Sequence, residues 1–137
     1  MRQFGGDTTY MYRGGSRLGV YYAEKGASQR PSKVIYDRAG SSITTAKPEE
    51  FQWDEIFRAA DWFHFTGITP ALGGDLPKIC LDACKAAKKR GLTVSCDLNY
   101  RKKLWSREDA GRVMAELMPF VDVCISNEED ASDVFSI

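Results

Sequence analysis

"LTVSCDLNYRKKLW", residues 92–105, decides the fold. Its first half is an apolar run of strand length, and its second half passes Asp97, Asn99, Tyr100, Arg101, Lys102 and Lys103 before closing on Trp105. Such a run reads as a buried strand opening into a polar connection. Upstream, Leu76, Ile79, Cys80, Ala83, Cys84 and Ala87 follow three-four spacing, Asp75 stands where a helix cap is expected, and Lys88, Lys89, Arg90 and Gly91 provide a cationic, glycine-stopped end. Downstream, Ser106 with Asp109 three residues on predicts a capped helix carrying Ala110, Val113, Met114, Leu117 and Met118, ended by Pro119. The strand "VDVCIS" follows, and Asn127 opens a further helix with Ala131, Val134 and Phe135 on its apolar side. Before all of these stands the strand "WFHFTG", residues 62–67, preceded by a short amphipathic helix over Trp53–Ala59. Residues 60–137 therefore read as βαβαβα, an α/β pattern that predicts a parallel sheet covered on both faces by right-handed crossovers.

Residues 14–40 follow a different rule. "GGSRLGVYYAEKG" and "KVIYDRAGSS" are aromatic and β-branched runs separated by the turn formers "ASQRPS", which predicts a hairpin or two neighbouring antiparallel strands. The whole chain, 137 residues with 43% hydrophobic content, is one domain's worth of sequence. Its 19 basic and 19 acidic residues balance, so no basic excess exists to drive counterion release from nucleic acid or to meet an anionic membrane surface. No run approaches the length of a membrane span and the first residues lack the apolar stretch of a signal peptide, so a cytoplasmic location is expected.

Four cysteines raise the question of metal or disulfide. Cys80 and Cys84 fall inside a helical apolar pattern and Cys96 and Cys124 inside apolar strands, so all four are expected to be reduced and buried. The single histidine, His64, has no ligand partner at metal spacing and reads as a structural or hydrogen-bonded residue.

In a parallel sheet every strand-to-helix connection leaves by the same edge, and that edge is where open α/β sheets receive ligands. The connections are "TGITPALGG" (66–74), "DLNYRKKLW" (97–105) and "SNEED" (126–130). Together they offer backbone amides and a glycine pair, then Asp97, Asn99, Tyr100 and Arg101, then Asn127 followed by acids. A fork-shaped cation beside carboxylates able to hold a metal, next to a helix start, suits phosphoryl transfer or sugar-phosphate binding.

The runs "GASQRPSKVIYDRAGSSI", "WFHFTGITPAL", "TVSCDLNYRKKLW" and "NEED", in that order and spread over nearly the whole chain, resemble the ribokinase-like (PfkB) carbohydrate kinases, most closely their 2-keto-3-deoxygluconate kinases. The resemblance implies a ribokinase-like three-layer sandwich, of which residues 1–137 would form a part. It implies that Tyr21, Tyr36, Arg38, Ile68 and Arg101 contact a sugar acid. It further implies that Asn127 and Asp130, matching the family's Asn-x-x-Glu motif, organise ATP phosphates and magnesium, Asp130 touching the metal through water because Asp is shorter than Glu. Asp97 and Asn99 match the start of the Asp-x-Asn-x-Arg element and would position the loop. Arg suits a carboxylate or phosphate, and Tyr presents a hydroxyl and an apolar face to a sugar. The residues alone admit plainer readings: strand aromatics for Tyr21 and Tyr36, solvated cations for Arg38 and Arg101, a helix cap for Asn127 and Asp130, a strand-end hydrogen bond for Asp97.

Family members also carry an N-terminal glycine-asparagine segment and a C-terminal Gly-Ala-Gly-Asp element that supplies the base. Neither occurs in these residues, so the chain alone is expected to lack turnover, because phosphoryl transfer depends on positioning the hydroxyl, base and γ-phosphate together. The resemblance thus implies an ATP-dependent sugar-acid kinase in its full form. The alternative is a non-catalytic remnant with weak sugar-acid or phosphate binding, or a role in oligomerisation. A homodimer or swapped assembly is expected from strand edges and an apolar face left uncovered, and from the likeness of residues 18–38 to the lid through which such kinases dimerise.

Overall fold

Thr93–Asp97 form strand β4, and their alternation places Val94 and Cys96 on one face and Ser95 on the other. All three are at most 3% exposed, as expected of the middle strand of a sheet. The computed structural model describes residues 2–137. In chain order the main elements are β1 (Val20–Glu24), β2 (Lys33–Asp37), α1 (Trp53–Ile56), β3 (Trp62–Thr66), α2 (Ile68–Ala71), α3 (Leu76–Lys89), β4, α4 (Arg107–Leu117), β5 (Val123–Ile125) and α5 (Glu128–Phe135). Strands β3, β4 and β5 form a parallel sheet in that order, with His64 beside Ser95 and Cys96 beside Cys124.

The helices that flank β4 are amphipathic and bury the faces read from their spacing. Cys80, Ala83, Cys84 and Ala87 of α3 and Ala110, Val113, Met114 and Leu117 of α4 pack in one cluster with Phe65, Val94 and Cys96. Burying side chains of this size contributes about 1.5–3 kcal/mol each for the larger ones, so this shared face holds the βαβ units together. Ser106 caps α4 by accepting a hydrogen bond from the Asp109 amide at 3.0 Å, and Asn127 caps α5 by accepting from the Asp130 amide at 2.7 Å. Asp122, just ahead of β5, accepts from the Val94 amide at 2.8 Å and pairs with Lys88, whose hydrogen bond first and that amide next hold its carboxyl below the ordinary value.

Several expectations are corrected. Asp75 does not cap α3, because its carboxylate is taken by the Lys47 ammonium at 2.7 Å. Helix α1 stops at Ile56 instead of running to Ala59, since Phe57 leaves helical geometry. Phe57 is 5% exposed and joins the main core. The connection after β3 contains the short helix α2 that the glycines and Pro70 concealed. The sheet is covered on the Val94/Cys96 face, whereas Trp62, Val123 and Ile125 on the other face are 40–56% exposed. On that open face His64 Nδ1 lies 2.8 Å from Ser95 Oγ, which also accepts from Trp62 Nε1 at 2.7 Å. A tryptophan can only donate, so the Ser95 proton is free to point at His64. Finally, Cys124 is exposed because β5 is an edge strand, while Cys80, Cys84 and Cys96 are buried; all four are free thiols.

Strands β1 and β2 form the antiparallel pair, with Tyr21 opposite Tyr36 and Glu24 opposite Lys33. Every position of both strands is exposed, so the ribbon carries no core of its own.

Candidate functional site at the carboxyl edge of the sheet

Backbone hydrogen bonds knit the three connections into one rim. The Gly67 amide donates to the Asp97 carbonyl at 2.8 Å, and the Leu98 amide donates to the Ile125 carbonyl at 3.0 Å. Side chains add two more ties: Asn99 Nδ2 donates to Thr66 Oγ1 at 3.2 Å, and the Tyr100 amide donates to Asp130 Oδ2 at 3.2 Å. The close approach explains Gly67, since a Cβ there would lie 2.1 Å from the Leu98 carbonyl oxygen. Asn99 takes a φ of 42°, a left-handed conformation that Asn tolerates, and so turns the chain out of β4.

Against this rim lies the end of β2. A cleft of about 660 Å³ is lined by Tyr36 and Arg38 from the ribbon, Arg101 from the β4–α4 loop, and Asn127 and Asp130 from the start of α5. The structure therefore gathers five of the predicted residues from three separated segments. Arg38 stacks on its neighbour, with its guanidinium carbon 4.2 Å from the Tyr36 ring centroid, and Tyr36 in turn lies 6.2 Å from the Tyr21 ring. Stacking of this kind orders the guanidinium while leaving its hydrogen-bonding edge available.

The other predicted residues stand outside the cleft lining. Tyr21 is exposed on β1 and reaches the cleft only through Tyr36. Ile68 begins α2 and its amide faces Thr66 Oγ1 at 3.4 Å. Asp97 and Asn99 hold the rim from behind, the first through its carbonyl and the second through its amide side chain. Asp97 also bears on Cys124, whose thiol is pushed up by burial first and by that nearby negative charge second.

Lys102, Lys103, Glu129 and Asp133 line the cleft as well, although sequence reading assigned them no role. Four cations thus face three acids, and Asp133 is already paired with Arg107 at 2.6 Å. The lysine pair was visible as an unexplained charge run; its place in a cleft depends on the ribbon, more than sixty residues away in sequence, and on no local signal.

The donor set bears on magnesium and nucleotide. Among the described residues no group of three or more His, Cys, Asp or Glu side chains is placed to hold a metal. Asp130 commits Oδ2 to the Tyr100 amide, which leaves one carboxylate oxygen for water. That fits an outer contact to a hydrated magnesium ion, which keeps several waters, and does not fit an all-protein cage. A second cleft, of about 620 Å³, lies between the N-terminal segment and the region before β3, with Asp7, Tyr10 and Arg58 on its walls. It contains none of the predicted residues, and its Asp7 already accepts from the Thr9 amide and hydroxyl.

A parallel α/β sheet with a cationic cleft at its carboxyl edge, roofed by a two-stranded ribbon, is the architecture of the ribokinase-like fold. Known proteins narrow the class. The chain is 57% identical to 2-dehydro-3-deoxygluconokinase from Thermotoga maritima, whose crystal structure matches 99% of this chain with a TM-score of 0.96. It is 43% identical over 122 residues to 2-dehydro-3-deoxygalactonokinase from Haloferax volcanii, 89% of this chain. A PfkB family carbohydrate kinase from Listeria grayi matches 96% of it at 36% identity and a TM-score of 0.90. The chain spans about two-fifths of the length of these relatives: 41%, 38% and 41% respectively. No family model matches it. The chain is thus homologous to a segment of the PfkB carbohydrate kinases. Among the described residues, no helix is long and apolar enough to cross a membrane.

Proposed function

We propose that this chain supplies the sugar-acid side of a kinase that transfers the γ-phosphoryl group of ATP to the primary hydroxyl of a 2-keto-3-deoxy sugar acid. The observation that carries the reading is the convergence of Arg38 and Arg101, 63 residues apart in sequence, on one cleft with Tyr36, Asn127 and Asp130. The names of the similar proteins support the substrate class, since they act on glucono and galactono members of it. In this reading Arg38 and Arg101 hold the carboxylate, Tyr36 and Tyr21 offer hydroxyl and ring to the sugar, and Ile68 gives an apolar wall. Asn127 and Asp130 serve the nucleotide phosphates, with Asp130 meeting magnesium through water, while Asp97 and Asn99 keep the rim in place. None of these residues is assigned as the base for the hydroxyl proton, so the expected signal from the chain alone is binding and not turnover.

Calorimetry with 2-keto-3-deoxygluconate, and separately with ATP and magnesium, tests the reading. Saturable heat with the sugar acid that is abolished by Arg101→Ala supports it; an identical response from the substituted chain removes it.

We further propose self-association, because Tyr21, Tyr22, Ile35 and Tyr36 of the ribbon are each more than half exposed and the opposite sheet face is open. Light scattering at high concentration checks this, and a monodisperse monomer would count against it. Three buried free thiols are compatible with a reducing, cytoplasmic setting.

A further inference from the structure

Residue Tyr100 is anchored at both ends of its backbone. Its amide donates to Asp130 Oδ2 at 3.2 Å, and its carbonyl accepts from Arg101 Nη1 at 2.8 Å. The residue is 8% exposed, packs in the main core cluster and donates its hydroxyl to the Trp105 carbonyl at 3.3 Å, so it is fixed in the core while also lining the cleft. Asp130 is itself held, because its amide is capped by Asn127 Oδ1 at 2.7 Å. A continuous chain of hydrogen bonds therefore runs from the start of α5, through the Tyr100 backbone, to the guanidinium that the proposed function places on the sugar-acid carboxylate.

We infer that Asp130 is a positioning residue for Arg101, acting through the Tyr100 backbone; the inference rests on the sugar-acid reading of the cleft. The length of the side chain matters. Asp at the third position of α5 reaches the Tyr100 amide with a carboxylate oxygen, whereas the added methylene of Glu would carry the oxygens past it. At 3.2 Å this is a hydrogen bond of ordinary strength, and its weight lies in position: small displacements of a binding arginine are costly. Simple electrostatics predicts the opposite sign, since removing an acid from a cleft that takes an anion would by itself tighten binding.

The test compares Asp130→Ala, Asp130→Asn and Asp130→Glu by calorimetry with 2-keto-3-deoxygluconate and by amide hydrogen exchange at Tyr100. Asp130→Ala is expected to weaken sugar-acid binding about tenfold and to speed Tyr100 exchange by a similar factor, the loss of about one ordinary hydrogen bond. Asp130→Asn, whose amide oxygen can still accept from Tyr100, should recover both to within about twofold, a rescue that a role through charge alone does not allow. Asp130→Glu should fall with Asp130→Ala. Tighter binding in Asp130→Ala, or Asn behaving like Ala, overturns the inference. If the unsubstituted chain binds no sugar acid, the functional reading fails, and Tyr100 exchange alone decides whether Asp130 holds the loop.

Discussion

Substituting Gly67 by alanine would press on the contact that joins two of the three rim loops. The added Cβ would lie 2.1 Å from the Leu98 carbonyl oxygen and 3.1 Å from its carbon, both backbone atoms that cannot rotate away. Reaching ordinary contact requires the strands' ends to part by about 1 Å. The Gly67 amide to Asp97 carbonyl bond, 2.8 Å long, would not survive that shift. Losing it costs about 1 kcal/mol, overpacking adds about 1–3 kcal/mol, and the reduced freedom of the unfolded chain returns about 0.5 kcal/mol. The net loss is about 1.5–3.5 kcal/mol. With a urea dependence of about 2 kcal/mol per molar, the midpoint should fall by about 0.8–1.8 M, read by tryptophan fluorescence. Gly73→Ala is the control, since nothing lies within 4 Å of its Cβ position and only its φ of 78° opposes the change. It should cost about 1–2 kcal/mol. A Gly67→Ala midpoint equal to that of the parent chain would refute the close-approach argument.

Further outcomes follow from the same geometry. Cys124 should react with a thiol reagent in the native chain, while Cys80, Cys84 and Cys96 react only after unfolding; mass spectrometry of labelled peptides checks the order. Burial pushes the Cys80 and Cys84 thiols up to about 12. Because unfolded thiols ionise from about pH 8.5, the unfolded state binds fewer protons above that point. The stability present below it should therefore fall as pH rises towards 12, by up to about 1.4 kcal/mol per thiol per pH unit, and Cys80→Ala should flatten the slope of urea midpoints against pH. Asn127→Ala removes the cap on α5 and should lower stability by about 1 kcal/mol in the same assay.

What sequence reading reached was governed by locality. Helices α3 and α4 and strand β4 were legible because their periodicity is set by a core that each buries along its own length. The caps at Ser106 and Asn127 were legible because the bond spans only three residues. Asp75 looked equally suited, yet its partner Lys47 lies 28 residues upstream and no local pattern announces it. An uncovered apolar face was expected from a three-stranded sheet without neighbours, but which face it would be was not legible, because Trp62, Val123 and Ile125 are as apolar as covered residues and coverage is decided by what packs above them. Edge position exposed Cys124 for a similar reason. At the site, the common rim was implied by parallel topology alone. The cleft needed the ribbon to fold over it, and the Asp130 to Tyr100 bond, 30 residues apart in sequence, needed the coordinates.

The central claim is that the cleft between the end of β2 and the carboxyl edge of the sheet receives a sugar acid. Amide chemical shifts recorded during titration of the labelled chain with 2-keto-3-deoxygluconate test it most directly. Saturable changes clustered at Tyr36, Arg38, Arg101 and Asn127 are the predicted result. Changes confined to the second cleft, around Asp7, Tyr10 and Arg58, would contradict it.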